Sequence, residues 1–268
     1  MYQDTIELFA ATAARKVKAM GDNPLGFLIG CAMAGAYVGI GIIAIFSIGQ
    51  GLEAGIRPLA MGLTFAIALT LVVFAGAELF TGHTMFMTIG LLRGTVSAGG
   101  LAKSWALTWT GNLIGAVSLA LLFWLGGGGQ ILKAGADLIF SAAAAKMNGD
   151  ALSLFARGIL CNWLVCLALW MAARTKSDGA KLVLIFWCLF AFIASGFEHS
   201  VANMTVFAIA LLGNHPDTIS LGGMFHNLLW VSLGNIVSGA LFMGAAYVLA
   251  NGRPAPALVE GAVAVPAE

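Results

Sequence analysis

Charged residues are scarce in this chain of 268 residues. Lys, Arg, Asp and Glu make up 9% of it, against roughly one quarter in a typical soluble domain. The net charge is +1 and no block of basic residues occurs, which argues against nucleic-acid binding and against a polybasic membrane anchor. Hydrophobic residues account for 60%, and the mean hydropathy is +0.95. The composition predicts an integral membrane protein.

Metal-binding and redox motifs are also lacking. The sequence contains no C-x-x-C motif and no Cys/His cluster with metal-ligand spacing. The four cysteines all lie in apolar runs, and we expect buried free thiols at Cys31, Cys161, Cys166 and Cys188. Nothing in the sequence indicates a cofactor, a metal site or an enzymatic activity.

Six apolar segments are long enough to cross a bilayer, which takes about 20 residues. They run near residues 26–50, 58–92, 103–125, 151–173, 181–213 and 222–250. The second and fifth are too long for one straight crossing, so each is predicted to be two half-helices around a break. The predicted fold is all-α, in a single transmembrane domain over residues 1–268.

The two long segments are interrupted in the same way. GAELFTG at 76–82 and SGFEHSV at 195–201 each place a glycine two residues before a glutamate, Gly76 with Glu78 and Gly196 with Glu198. Non-helical backbone and charged side chains persist at membrane depth only where protein buries them or a cavity borders them. Matched breaks in two halves therefore predict a substrate path.

A second pair of motifs supports an internal duplication. TGNLIGA at 110–116 matches LGNIVSGA at 233–240, which relates Asn112 to Asn235 by 123 residues, whereas the two glutamates are 120 residues apart. Because each half has three spans, an odd number, the second half must enter the membrane from the opposite face. We predict two inverted repeats, residues 23–125 and 150–250, in which helices two and five are broken.

The distribution of Lys and Arg predicts the orientation. Nine of the 13 basic residues lie at the termini or after spans two and four: Arg15, Lys16, Lys18, Arg93, Lys103, Arg174, Lys176, Lys181 and Arg253. The other side holds the remaining four, which are Arg57, Lys133, Lys146 and Arg157. Both termini are therefore expected in the cytoplasm.

Residues outside the spans carry few signals. Residues 1–22 are predicted to form a cytoplasmic amphipathic helix, because apolar residues recur at helical spacing at Ile6, Phe9, Ala13, Val17 and Met20. The glycine run 126–129 and the tail 251–268 are predicted to be flexible. Inside the spans, small-x-x-x-small spacing predicts close helix packing at Gly26 and Gly30, Gly35 and Gly39, and Gly111 and Gly115.

Polar side chains near the breaks have more than one interpretation. Glu78 and Glu198 can cap the next half-helix by accepting its free N–H groups, the role we favour, or they can relay protons. His199 can present N–H donors, or a positive charge, to a small anion. Intramembrane amides either join helices or offer donors to an ion, at Asn112, Asn162, Asn203 and Asn235.

Two other classes of membrane protein are less consistent with the sequence. A haem protein would use histidine ligands that face each other from neighbouring spans, but two of the four candidates, His83, His199, His215 and His226, lie in or near one periplasmic connection. A water or glycerol channel would carry an Asn-Pro-Ala motif at each half-helix, and the sequence has none.

Several motifs together resemble the formate/nitrite transporter family. GAELFTG, RGILCNWLVCLA at 157–168, ASGFEHSVANM at 194–204 and the two Gly-Asn motifs are similar to its signature sequences, and the resemblance covers nearly the whole chain. NPLGF at 23–27 and ELFTGHTMF at 78–86 look most like its bacterial nitrite channels. The resemblance implies an aquaporin-like protomer of six spans, a homopentamer in the bacterial inner membrane and a role in nitrate assimilation.

The resemblance also implies a pore in each protomer. His199 matches the family's central pore histidine, and Thr81 matches its partner on the first broken span. Asn162 and Asn203 match pore-facing positions, and Lys146 matches a basic residue near the periplasmic entrance. Apolar constrictions on either side of the histidine are implied at Phe65, Leu69, Leu79, Phe80, Val165 and Phe192.

The combined prediction is a channel for small monovalent anions, with nitrite as the substrate and formate or hydrosulfide as the alternatives. Because apolar constrictions make a bare anion costly, the anion either takes a proton near His199 and crosses as the neutral acid, or passes as an ion stabilised by the imidazolium. His83 agrees with the nitrite type, since the formate members lack a histidine there, but the sequence supplies no physical reason for it.

Overall fold

The structure of the chain, a computed structural model, describes residues 2–252. Over these residues the secondary structure is helical, without strands. The helices are α1 Gln3–Asp22, α2 Pro24–Gly49, α3 Arg57–Ala75, α4 Phe80–Leu92, α5 Ala98–Leu125, α6 Ala136–Met147, α7 Ala151–Ala173, α8 Asp178–Ala194, α9 Ser200–Leu212, α10 Leu221–Val237, a π-helix Ser238–Ala245 and α11 Ala246–Asn251.

Five helical runs in this part of the chain are long and apolar enough to cross a membrane: α2, α3, α5, α7 and the continuous run Leu221–Asn251. Their mean hydropathies lie between 1.6 and 2.2. Four of these runs, and α8 as well, begin at a side chain that accepts the backbone N–H three residues on, namely Asn23, Ser97, Asp150, Ser220 and, for α8, Ser177. These caps satisfy N–H groups that the first helical turn leaves free.

Both predicted breaks are present. Residues 76–79 separate α3 from α4, and residues 195–199 separate α8 from α9. Gly76 has φ 79° and Gly196 has φ 69°, in the left-handed region that a Cβ disfavours. Each glycine therefore ends its helix and turns the chain, which explains why each break contains one.

The helices pack as two similar sets. α2 lies along α5, and α7 lies along α10, while α3 and α8 contact each other between these pairs. α4 and α9 fill the interior, where nearly all their residues are buried. Each break consequently runs from an exposed glycine, Gly76 or Gly196, to a buried residue at the start of the next helix.

Close backbone approach holds the α2–α5 pair together. A Cβ on Gly35 would lie 2.0 Å from the carbonyl oxygen of Asn112, and a Cβ on Gly115 would lie 1.8 Å from that of Ala32. The small-residue spacing is confirmed at these positions. Gly26 differs, because a Cβ there would meet only the cap of its own helix.

Two shorter helices lie beside the long ones. The predicted N-terminal helix is present as α1, and it buries Ile6, Phe9, Ala13 and Met20. α6 was not expected, because the sequence pattern between residues 126 and 150 indicated no helix. The predicted flexible tail at 251–268 falls outside the described residues from position 253 onward.

The last long helix changes its winding where it passes α4. Ser238–Ala245 forms a π-helix, and a Cβ on Gly239 would lie 1.8 Å from Oγ1 of Thr84. Beyond it, the ring of Tyr247 stacks on Trp170 with 3.9 Å between centroids. The wider winding accompanies the close contact with α4.

We predict that Gly115→Ala destabilises the protein by roughly 1–3 kcal/mol, since the new methyl overlaps the Ala32 carbonyl. Gly99→Ala in the same helix is the matched control, because its Cβ would approach no atom closer than 3.9 Å. Thermal unfolding of the purified protein in detergent measures the difference. Equal melting temperatures for the two variants would contradict the packing argument.

Candidate functional site

An asparagine from a neighbouring helix holds the first break. The side-chain oxygen of Asn112 accepts the backbone N–H of Phe80, the first residue of α4, at 2.9 Å. Its Nδ2 donates to the carbonyls of Cys31 at 2.7 Å and Glu78 at 2.9 Å. One buried amide therefore caps α4, fixes the break and joins both to α2.

Asn235 does the same for the second break. Its oxygen accepts the backbone N–H of Ser200, the first residue of α9, at 3.0 Å. Its Nδ2 donates to the carbonyls of Gly158 at 2.8 Å and Glu198 at 3.2 Å. The two amides make corresponding bonds at corresponding positions.

The carboxylates of Glu78 and Glu198 do not cap the half-helices, so that prediction is wrong. Glu198 binds Nζ of Lys146 at 2.9 Å and Nδ2 of Asn203 at 2.6 Å. Glu78 binds Lys16 and His83. The physical reason is charge: an amide satisfies the helix N–H without burying a charge, whereas a buried carboxylate needs a cation.

Two polar clusters result. The α6-side cluster comprises Lys146, Glu198, Asn203 and Asn227, and Oδ1 of Asn227 accepts from Nδ2 of Asn203 at 2.9 Å. The α1-side cluster comprises Lys16, Glu78, His83 and Ser104. In each, a lysine from a shorter helix pairs with the glutamate of a break.

Three cavities follow one another through the protein. The α6-side vestibule, about 380 Å³, is lined by Arg57, Lys146 and Asn203 among others. The central cavity, about 10 Å³, shares Phe192 and His199 with this vestibule. On its other side the central cavity shares Leu69 and Leu79 with the α1-side vestibule, about 430 Å³, which Lys16, Glu78 and His83 also line.

The central cavity is apolar and very narrow. Five of the six residues that the resemblance assigned to constrictions line it: Phe65, Leu69, Leu79, Val165 and Phe192. Phe80 is buried in the same core but does not line this cavity. A cavity of about 10 Å³ has room for about one water molecule, so the path is closed to hydrated ions.

His199 stands at the boundary between the α6-side vestibule and the central cavity. Its Nδ1 accepts the backbone N–H of Ala202 at 3.1 Å, which makes it the cap of α9. Its Nε2 lies 3.1 Å from Oγ1 of Thr81. Because Nδ1 acts as an acceptor, the ring hydrogen of the neutral form is on Nε2 and points at Thr81.

Two predicted polar positions behave differently from each other. Asn203 lines the α6-side vestibule. Asn162 lines none of the three cavities, and its assignment as a pore-facing residue stays a prediction. Its Nδ2 donates to Oγ1 of Thr84 at 3.0 Å and to the carbonyl of Asn235 at 2.7 Å, so it joins α7 to α4 and α10.

No group of three or more His, Cys, Asp or Glu side chains could hold a metal ion in the part of the chain that the structure describes. The histidines considered for haem each bond within the protein instead. His226 bonds the carbonyl of Gly149 at 2.9 Å, and His215 bonds that of Pro216 at 3.0 Å. His83 and His199 bond their own clusters.

Comparison with known proteins identifies the family. A sequence profile described as "Formate/nitrite transporter" matches residues 3–249. The chain belongs to the formate/nitrite transporter family. It is 55% identical over 266 residues to a protein named nitrite transporter NirC of Salmonella typhimurium, covering 97% of each chain. It is 30% identical to formate channel FocA of Escherichia coli, over 84% of this chain and 86% of that one.

Two solved structures of the formate/nitrite transporter family resemble this one. One, named "FNT family ion channel", has a TM-score of 0.90 and 55% identity, and covers 92% of this chain and 99% of its own. Another, named "Pentameric formate channel with formate bound", has a TM-score of 0.73 and 26% identity, with 85% and 97% covered.

Reasoning from the sequence missed Ser104 and Asn227 as cluster members. A signal for them exists, since they are 123 residues apart, the same offset as Asn112 and Asn235. The role of Lys16 was also missed, because it depends on how α1 docks. Of the residues assigned from the family resemblance, only Lys146 is a cation that lies beside a break.

We predict that Asn235→Ala lowers stability by roughly 1–3 kcal/mol, because it leaves the Ser200 N–H and two carbonyl groups without their partner. Asn214→Ala, at an exposed position, is the control. Unfolding temperature and yield of assembled protein are the measurements. A loss no larger than that of the control would show that the amide does not hold the break.

Proposed function

We propose that this protein is a channel for nitrite across the bacterial cytoplasmic membrane, and not an enzyme. The observation that carries the proposal is the row of three cavities, in which two vestibules bearing lysines meet an apolar constriction at His199. The relatives named as nitrite transporters at 55% identity support nitrite as the substrate. A place in nitrate assimilation follows from that substrate.

The path is proposed to lie in a protomer of six spans, with α3–α4 and α8–α9 each counted as one broken crossing. The internal spacing supports two inverted repeats. α4 and α9 both have 13 residues, and the connections that follow them have five residues (93–97) and eight (213–220). This difference of three accounts for the change in offset from 120 at the glutamates to 123 at the asparagines.

Orientation and assembly complete the proposal. With nine basic residues on the α1 side and four on the other, the α1-side vestibule faces the cytoplasm and the α6-side vestibule faces the periplasm. We propose a homopentamer, which the likeness to the pentameric formate channel supports. The outer surface offers apolar side chains to lipid or to neighbouring copies, such as Phe225 at 63% exposure and Trp187 at 58%.

Charge attracts the anion to the vestibule on the α6 side. Arg57 and Lys146 line it, and the single carboxylate of Glu198 lies beneath Lys146 at only 2% exposure. A vestibule with two cations and one shielded carboxylate concentrates small anions at the constriction.

The constriction favours passage as the neutral acid over passage beside an imidazolium. Nδ1 of His199 is occupied by the Ala202 N–H, so charging the ring at that nitrogen would break the cap of α9. The neutral ring donates from Nε2 to Thr81, which is itself fully buried and lines none of the three cavities. Nitrite takes a proton from water in the vestibule, crosses as nitrous acid, and releases that proton on the far side.

Formate or hydrosulfide transport is the alternative function. Both are small monovalent anions with neutral conjugate acids, so the same path would serve them. The resemblance to a formate channel at 30% identity favours considering formate first. Flux of each anion into liposomes that contain the purified protein discriminates between the three substrates.

We predict that His199→Asn reduces nitrite flux by about 10- to 100-fold, the effect of losing one or two hydrogen-bonding interactions worth about 1.4 kcal/mol each. Asparagine is a good helix cap, so α9 should persist, but its side chain is too short to reach Thr81. Flux into liposomes and size-exclusion chromatography measure function and assembly.

The control for this substitution is His215→Asn, since His215 lies in the connection after α9 and bonds only the neighbouring Pro216 carbonyl. It should transport like the parent. If His199→Asn transports nitrite as fast as the parent across the pH range, the imidazole is a packing group and the proposed mechanism fails.

A reporter enzyme that is active only in the periplasm tests the proposed topology. Fused after residue 268, it should give no activity, because six crossings return the chain to the side of α1. The same reporter inserted in the connection 213–220 should be active. The reverse pattern would overturn the orientation.

A further inference from the structure

Three of the four residues in the α1-side cluster correspond in position to residues of the α6-side cluster. His83 and Asn203 each follow the glutamate of their break by five positions, and Ser104 and Asn227 are separated by the repeat offset of 123. Both clusters pair a glutamate with a lysine. Apart from the lysines, which come from α1 and α6, the clusters differ in one pair of side chains: imidazole and hydroxyl on one side, two amides on the other.

The imidazole of His83 is bonded in a way that fits either protonation state. Nε2 lies 2.6 Å from Oε2 of Glu78, and Nδ1 lies 2.7 Å from Oγ of Ser104. In the neutral ring Nε2–H donates to the carboxylate and Nδ1 accepts the Ser104 hydroxyl. In the charged ring both nitrogens donate, and the same hydroxyl turns to accept. No heavy atom has to move.

His199 lacks this property. Its Nδ1 is tied to a backbone N–H, which can donate but cannot accept. Asn203 and Asn227 cannot take up a proton at all near neutral pH. Of the side chains along the path, His83 is consequently the one whose surroundings accept a charged imidazole without losing a bond.

We propose that His83 is a proton-binding site of the anion path, and that its protonation strengthens anion capture in the α1-side vestibule. This inference rests on the proposed function, and it adds a proton-binding group that is present at only one end of the path. Protonation requires no added reactant, since the proton comes from water in the vestibule.

The charges that face His83 set the sign of the effect. Glu78, in the break, favours the charged ring, and Lys16, from α1, opposes it, since both cations would bind the same oxygen, Oε2 of Glu78. From α5 the facing group is Ser104, and from α2 the ring of Phe27 lies 6.1 Å away, neither of which is charged. The cluster changes from no net charge to +1 when His83 takes a proton.

An anion in this vestibule offsets the positive charge of Lys16. Anion binding and proton binding therefore favour each other, and by linkage each strengthens the other by the same factor. Lower pH on the α1 side should increase the affinity for anion there, while pH on the other side should have no such effect through this group.

The transport test exchanges the two clusters. His83→Asn combined with Ser104→Asn gives the α1 side the amide pair of the α6 side, and Asn203→His with Asn227→Ser does the reverse. Currents across a planar bilayer, with pH set independently on each side, give the apparent affinity for nitrite. His215→Asn is the control, and comparing variants under the same buffers cancels the protonation of nitrite itself.

In the parent, the affinity for nitrite from the α1 side should rise at least about fivefold as pH there falls from about 7.5 to about 4.5. The first double variant should lose this dependence, and the second should acquire it on the α6 side. A double variant at His83 and Ser104 that keeps the parent's dependence would overturn the proposal.

A spectroscopic test needs no variant to transport. The chain has four histidines, so solid-state NMR of protein labelled with 15N-histidine can assign the His83 ring as the signal lost in His83→Asn. We expect this ring to gain its second proton on acidification, and to do so at higher pH when nitrite or formate is present than without them. A ring that keeps one bare nitrogen throughout, or that ignores both anions, would contradict the proposal.

The two tests separate this inference from the proposed function. Should the parent pass formate but not nitrite, nitrite transport fails, whereas a His83 titration that responds to formate sustains the proton site. Should nitrite cross while the His83 ring stays neutral, the proposed function stands and the proton site falls.

Discussion

The amide of an asparagine at each chain break is the interaction on which the site depends. A break inside an apolar protein exposes the first N–H groups of the next helix and the carbonyls of the turn, and water is absent to satisfy them. Asn112 and Asn235 each serve one N–H and two carbonyls with a single side chain. Because the amide is neutral, the break is stabilised without a buried charge.

This neutral support leaves the neighbouring side chains free for other contacts. Glu78 and Glu198 extend away from the helix ends toward lysines, which forms the two clusters. The residue after each glutamate begins the constriction, Leu79 in the first half and His199 in the second. Corresponding positions of the two breaks thus carry an apolar group and an imidazole, so two breaks that are held alike line the central cavity with different side chains.

Local features made the breaks predictable from the sequence. Glycine before glutamate in an apolar run indicated both, and the left-handed conformation of Gly76 and Gly196 is the physical reason. The role of Glu78 was assigned wrongly, because local reasoning compared it with helix caps, whereas the actual cap comes from Asn112, 32 residues beyond the Phe80 N–H that it accepts. The sequence did not predict α6, because this alanine-rich segment has little amphipathic pattern. The ion pair of Lys146, which lies on α6, was therefore not predicted either.

The π-helix Ser238–Ala245 sets the rotation of everything that follows it. In an α-helix each residue turns the chain by about 100°. The wider winding past α4 therefore decides which direction α11 presents to its neighbours. There Tyr247 stacks on Trp170 and meets Tyr2 edge-on, with centroids 5.1 Å apart. Removing one residue from this stretch would rotate the Tyr247 ring about a quarter turn away from both partners. The number of residues in the last helix therefore determines whether Tyr247 can contact Tyr2 and Trp170.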